Sequence, residues 1–462
     1  MGKMLLLSPP LYCERHLRRS FQPPLNLLYL YAYLRAKNLE VELFEADSIE
    51  DAVEEILEKG ADLVGIPLYY ASLNNVYSIV EQVRNRNSTI KFVAGGPCLT
   101  MESERMMQEG NFDFGVIGEG EETLYELCEA LTKGVAPDDI DGLVCRQNGR
   151  IEANTRRKPI SNLDELPFLD FTVVDNDYYF DFQEKSGVPK TLFLNSSRGC
   201  SFRCSYCCTP VLWPGPVRRY SPQRMVDEIR YQLKIFPEVE FGFCDDSFFS
   251  DRSWLEKFLE LVKPLEIKFQ CIGRADHLQP QTIAKLVAAG MTYIAFGVET
   301  GNSDRQKRLQ KNLNFKRLFA TMRELAKYEV KTKCFFMLGF PDETVAEMAE
   351  TINMAVELRR LGMDYFSIFP VSVYPGTELA RQFPVESFSS GLDAHMPEII
   401  RDGLEIDFQN QALLKQRFNR LLSQRQMIEA VSYAWEKVDR AESICVEELA
   451  AVISDAADAD NG

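Results

Sequence analysis

The chain has 462 residues, 45% of them apolar and 26% charged, and carries a formal charge of −17. That length and composition predict a globular protein of about two or three domains with large cores. The acidic balance argues against a protein that grips nucleic-acid phosphates, which needs a basic stripe.

The first apolar run, "KMLLLS", stops at Pro9 and Pro10, too early for a signal peptide. Leu6 stands where a myristoylation signal needs Ser or Thr, and no window approaches the roughly 18 apolar residues of a membrane span. A cytoplasmic chain that contacts neither membrane nor nucleic acid is expected, with the short basic runs "RHLRRS" and "TRRKP" as solvated loops. Cysteines in that compartment stay reduced. Eight of the twelve are scattered, mostly in apolar runs where a thiol packs as a small hydrophobe.

Over residues 1–140 strands and helices alternate. "KMLLLS", "VELFEAD", "ADLVGIPLYY", "IKFVAGG" and "DFGVIGEG" read as strands. "NLLYLYAYLRAKN", "IEDAVEEILEKG", "NNVYSIVEQVRNRN", a segment near 102–109 and "EETLYELCEALTKG" read as helices. This order predicts a doubly wound parallel sheet, a Rossmann-like α/β domain. Residues 141–190 lose the periodicity and read as a hairpin and then an extended linker, with "DNDYYFDFQEKSG" as a surface loop. From 191 to 380 the alternation resumes with "TLFLNSS", "EFGFCDD", "IKFQCIGR", "YIAFGVET", "KTKCFFMLGF" and "YFSIFPVSVY". Six βα units predict a (β/α)6 partial TIM barrel with its chemistry at the C-terminal strand ends, at Asn195, Asp245, Arg274, Glu299, Gly339 and Tyr374. Residues 381–462 read as a helical segment ending in an acidic, frayed tail.

The densest chemistry is "SSRGCSFRCSYCC", where Cys200, Cys204 and Cys207 have the spacing C-x3-C-x2-C in the loop after the first strand of the second domain. Three thiolates on one tight loop can hold three irons of a 4Fe–4S cluster. Structural zinc wants a closed set of four ligands. Cys208 is adjacent to Cys207 and poorly placed to converge with it, and His16, His277 and His395 are far apart. A cluster with three protein ligands leaves one iron open to a substrate.

This spacing after the first strand of six resembles the radical S-adenosylmethionine (SAM) enzymes. The resemblance implies that the open iron takes the amino and carboxylate groups of SAM. An electron from a reductant such as flavodoxin or ferredoxin then cleaves SAM to methionine and a 5′-deoxyadenosyl radical. It implies further that Tyr206 contacts adenine and that Asp245 or Asp246, in "CDDSF", holds the ammonium group. Arg274 would pair with the methionyl carboxylate, Glu299 of "GVETG" would touch ribose or methionine, and Gly339 of "LGFPDET" would bring backbone to the adenosyl group. The residues by themselves fit structural ion pairs as well.

The front domain resembles the cobalamin-binding domain that precedes many of these enzymes, in "LSPP", "PPLNLLYLYAYLR", "VAGGP" and "VIGEGEET". The resemblance places Gly95, Gly96, Gly118, Glu119 and Gly120 against the cobalamin, at the strand ends where doubly wound sheets bind ligands. Tight turns are the other reading of the glycines. The D-x-H-x-x-G motif is absent, so cobalt would be bound without a protein histidine. The activity implied is a cobalamin-dependent C-methyltransferase acting on a small metabolite or natural-product intermediate. A cyclase, rearrangement or oxidative enzyme of the same family, with or without cobalamin, is the alternative within the class. An iron–sulfur electron-transfer protein is the alternative outside it, and an RNA methylthiotransferase would need a second cysteine cluster and a basic module that this sequence lacks. Nothing in the sequence names the substrate or a catalytic side chain.

Overall fold

The computed structural model describes residues 3–11, 22–147, 150–384 and 424–458. Cys13, His16, His395, the basic run at 15–20, much of the expected C-terminal helical segment and the end of the acidic tail lie outside them. The chain divides into two compact units. One comprises Met1–Phe193 with Val211–Tyr220 and Asp227–Glu238, the other Leu194–Pro210 with Ser221–Val226 and Val239–Gly462.

The first unit is built on a seven-stranded sheet of β1 (Met4–Ser8), β2 (Val41–Glu45), β3 (Leu63–Pro67), β4 (Lys91–Gly95), β5 (Phe114–Val116), β6 (Leu143–Gln147) and β7 (Arg150–Ala153), in the order β2-β1-β3-β4-β5-β6-β7. The first five strands are parallel. Side chains alternate across such a strand, and both faces are covered. Leu5 and Leu7 of β1 therefore enter one core, with Val64 and Phe92, while Met4 and Leu6 enter the other, with Leu63 and Val93. The covering helices are punctuated by local chemistry. Over Ile49–Lys59, Ser48 accepts the Asp51 N–H at the start and left-handed Gly60 ends the helix.

Two features differ from the sequence reading. The expected hairpin is present as β6 and β7, but it extends the first sheet with antiparallel pairing instead of belonging to a linker. The stretch expected to be a surface loop contains a helix, Asn176–Lys185, whose N-terminus is capped by the Asp175 side chain. Its Tyr179 is buried and donates its phenol to Glu45 at the end of β2, a long-range anchor invisible to local periodicity.

The second sheet takes β8 (Thr191–Leu194), β11 (Glu240–Phe243), β12 (Phe269–Gly273), β13 (Met291–Glu299), β14 (Lys331–Leu338) and β15 (Tyr365–Pro370) in sequential order. Two short strands, β9 (Ser197–Arg198) and β10 (Arg218–Arg219), lie between β8 and β11 in sequence. The pairs from β11 to β15 are parallel, as the alternation predicts for a partial barrel. Phe243, Phe248, Phe258 and Phe269 fill part of its core, with Trp254 stacked on Phe258 at 5.1 Å. Helix Gln424–Asp439 leads to helix Val446–Asp458, and between them Ile444 exchanges two backbone hydrogen bonds with the Asn353 amide. Among the described residues no helix is long and apolar enough to cross a membrane.

Replacing Tyr179 with Phe leaves the Glu45 carboxylate, only 7% exposed, without its phenol donor. The expected loss is about 1–3 kcal/mol in the unfolding transition of the first unit, read by urea denaturation.

Candidate active site at the strand ends of the second sheet

The cysteine loop is rooted by a carboxylate. Asp245, just past β11 and 3% exposed, accepts the Ser196 N–H at 3.0 Å, the Ser196 hydroxyl at 2.8 Å and the Ser197 hydroxyl. Asp245, one of the two carboxylates expected near the SAM ammonium, thus clamps the root of the loop. Asp246 is exposed and takes a 3.0 Å hydrogen bond from the Thr209 hydroxyl. Farther along, the Ser205 N–H donates to the Leu309 carbonyl (2.9 Å) and its carbonyl accepts from Leu379 N–H (2.7 Å), so the middle of the loop is fixed from two sides.

Cys200, Cys204 and Cys207 are each partly exposed on this loop. Burial pushes the Cys207 thiol up to about 12 and raises Cys200, with the Asp246 carboxylate adding to both. Coordination to iron displaces such protons outright. Among the described residues no three His, Cys, Asp or Glu side chains are gathered closely enough to hold one metal ion, so the three thiols share a loop without converging. The donor set nevertheless suits iron and sulfide, being three soft thiols within eight positions of one fixed loop. The Ser205 hydroxyl fits the same group. It lies between two of the cysteines, is shut off from solvent and has no hydrogen-bond partner among the described residues.

Beside the loop stands a charge pair the sequence reading did not anticipate. Lys311, 7% exposed, places its ammonium 2.8 Å from Glu299 Oε1 and 3.3 Å from the Tyr206 hydroxyl. Burial, then the Glu299 charge, raises the Tyr206 phenol well above its ordinary value. The backbone is bent to make this contact. The β13–β14 register shifts between Gly297 and Glu299, and Glu299 has φ +68°, a conformation that costs a non-glycine residue energy. Gln310 and Asn312, on either side of Lys311, also have positive φ, at +55° and +51°. Gly297 leaves the space: a methyl there would overlap Glu299 Oε1 and stand 2.8 Å from Lys311 Nζ.

Arg274, expected to pair with a methionyl carboxylate, is committed elsewhere. Its guanidinium makes two hydrogen bonds to Asp276, at 3.1 and 2.8 Å, and donates to the carbonyls of Lys311 (2.6 Å) and Asn312 (3.4 Å). It also stacks 4.3 Å from the Phe202 ring centre. Burial works against ionised Asp276, but Arg274 and the Asn314 N–H outweigh it and hold the carboxyl below its ordinary value. Arg274 therefore shapes the turn that carries Lys311.

At the end of β14, Gly339 has φ +88°, and a Cβ there would meet Met427 Cε of helix Gln424–Asp439 at 2.5 Å. The absent side chain makes room for Met427. In the first unit, Gly95 closes β4 with open space where a Cβ would stand, the feature at these strand ends that suits a bulky ligand. Gly96 (φ +87°) is a tight turn against the Leu68 backbone, and a Cβ on Gly120 would meet Leu30 at 3.1 Å. Gly118 donates its N–H to Thr100 (3.1 Å), with Arg156 3.8 Å from its Cβ position. Glu119, expected to touch the corrin, is instead ion-paired with Arg218 and accepts the Ile160 N–H at 3.0 Å.

Comparison with known proteins agrees with these two arrangements. Residues 194–355 match the radical SAM superfamily, and residues 18–128 match the B12 binding domain. The chain is 28% identical over 387 residues to an uncharacterized methyltransferase of Pyrococcus horikoshii, covering 82% of each. It is 24% identical over 437 residues to the cytidylyl-2-hydroxyethylphosphonate methyltransferase of Streptomyces wedmorensis, covering 82% of this chain and 81% of that one. Its fold is similar to that of the radical SAM methyltransferase TsrM from Kitasatospora setae, with a TM-score of 0.66 at 16% identity, over 83% of this chain and 78% of that chain. The chain therefore carries a radical SAM domain with a B12-binding domain ahead of it. Its cofactors are accordingly a 4Fe–4S cluster, SAM and cobalamin, and the electron-carrier alternative falls away.

Lys311 was not legible because no spacing marks a lone lysine after a short helix, although Asn312 beside it is a type that tolerates left-handed backbone. Gly297→Ala is expected to fold, since only two flexible side-chain ends must move. It should slow formation of 5′-deoxyadenosine from SAM by about 10²-fold through misplacement of the Glu299–Lys311 pair, measured by chromatography under reducing conditions.

Proposed function

We propose that this enzyme transfers a methyl group to a carbon atom of a small molecule, using cobalamin as the methyl carrier. The observation that carries the reading is the three-thiol loop beside the Glu299–Lys311–Tyr206 cluster at the strand ends of a partial barrel, in a chain that also has a B12-binding domain. The methyltransferase relatives support the same reading.

In this reading Cys200, Cys204 and Cys207 hold the cluster, and Gly95 offers backbone to the cobalamin. When bound, the cluster would relay the electron that cleaves SAM and the cobalamin would carry its methyl group. Lys311 takes the methionyl carboxylate of SAM, the role its buried ammonium suits better than the fully engaged Arg274. Glu299 orients that ammonium through its 2.8 Å contact and meets the SAM amino or ribose groups. Tyr206 lies against the adenine, and Asp246, held by Thr209, takes the ammonium group. Asp245 acts through Ser196 and Ser197 by fixing where the loop begins. A flavodoxin or ferredoxin supplies the electron, in a cytoplasmic setting.

The test is anaerobic purification from cells supplied with cobalamin, with iron, sulfide and corrin quantified together, followed by SAM bearing a deuterated methyl group. Four irons with one corrin and a deuteromethylated product are expected. Four irons without corrin would sink the methyl-transfer reading and leave the radical chemistry standing. Removing any one of the three cluster cysteines as Ala should abolish the bound iron. Lys311→Met should weaken SAM binding about 10- to 100-fold, the value of one charged hydrogen bond, measured by equilibrium dialysis.

A further inference from the structure

Arg305, in helix Ser303–Arg308 and 2% exposed, is surrounded by carboxylates from one segment that follows β14. It donates to Asp342 at 2.8 Å and to Glu347 at 2.7 Å, and its Nε is 3.9 Å from Glu343 Oε1. Arg305 and Glu343 are the two buried charges of this group, and burial of that kind is repaid only by close geometry and further hydrogen bonds. The central carboxylate, Glu343, is fully buried and accepts the N–H groups of Gly339 (2.5 Å) and Phe340 (3.1 Å). Phe340 in turn lies between charge and aromatic: its ring is 5.3 Å from the Arg305 guanidinium and 6.5 Å from the Tyr206 ring, tilted by 68°. The neighbouring Gln306 amide donates to the carbonyls of Val298 and Thr300, both at 2.8 Å, which ties the same helix to the end of β13.

We propose that Glu343 is a positioning residue for the adenosyl group of SAM. Its carboxylate sets the Gly339–Phe340 edge that faces Tyr206, and Arg305 couples that edge to the loop carrying Glu299 and Lys311. This rests on the SAM site described above and adds a group that touches no cofactor. The charged neighbours of Glu343 are Arg305, Arg308, Asp342 and Glu347, and the Tyr206 phenol is the titratable group on the cysteine-loop side. Burial pushes the Glu343 carboxyl up to about 7, against the Arg305 charge and the two N–H donors. The ionised form grips both N–H groups and Arg305 more strongly than the neutral acid does, so the edge is firm above that pH and loosened below it.

The test uses 5′-deoxyadenosine, which has no group titrating near neutrality, as the probe on the cluster-loaded enzyme. Its affinity is measured from about pH 6 to about pH 8.5 for the unaltered protein and for Glu343→Gln. The unaltered protein should bind about tenfold more tightly at the upper end, whereas Glu343→Gln should bind weakly with a flat profile. Binding that is equally pH-independent in both, or equally pH-dependent in both, overturns the positioning role and leaves the SAM site intact. Absence of 5′-deoxyadenosine and SAM binding by the unaltered protein at every pH overturns the site itself, and this role with it. Should Glu343→Gln not fold, a flat profile in the unaltered protein is by itself sufficient to reject the proposal.

Discussion

The second unit is organised around the buried ion pair of Glu299 and Lys311, 2.8 Å apart. Two charges removed from water repay their desolvation only with close geometry and further hydrogen bonds. The surrounding structure supplies both. A bulge and a positive φ turn Glu299 inward, two left-handed residues flank Lys311, and Arg274 holds the carbonyls of Lys311 and its neighbour. Gly297 leaves the pair its space, and Tyr206 brings the cysteine loop to it. Backbone strain of this kind persists where the surroundings over-determine it, and here the cost is concentrated at the strand end where the cofactor chemistry belongs.

Several polar residues of the second unit act at one remove from that centre. Asp245 fixes the start of the cysteine loop, Arg274 shapes the turn after the fourth barrel strand, and Arg305 joins that turn to the segment after the fifth. The strand ends are thus cross-linked by carboxylates and guanidinium groups, while the strand bodies are held by aromatic packing around Phe243, Phe248 and Phe269. This division suits a radical enzyme. The sheet provides rigidity, and the polar network suits the orientation of a charged cosubstrate.

In the first unit the same logic applies at the ends of a different sheet. Glu45 and Glu119 close β2 and follow β5, and each is consumed in anchoring a later segment, the first by Tyr179 and the second by Arg218. What stays open is backbone, at Gly95. A bulky ligand with many amide groups is accommodated by such surfaces better than by fixed charges.

Most of the architecture was legible in the sequence, because it rests on local regularities. Apolar residues at period two or near four, Ser48 and Gly60 at helix ends, and the C-x3-C-x2-C spacing are all short-range patterns. They predict both parallel sheets and the cluster loop. The roles of the charged residues were not legible, since an arginine or carboxylate at a strand end reads the same whether it faces a cofactor or a neighbour. Arg274 and Asp245 found partners two and forty-nine positions away, respectively, and helix Asn176–Lys185 owes its anchor to Glu45, 134 positions from Tyr179. The sequence by itself determined the fold class, the two domain types and the cysteine spacing of the loop. Only the tertiary structure decided which charges are already neutralised by neighbours, because pairing depends on distance in space and that distance is set when the sheets close.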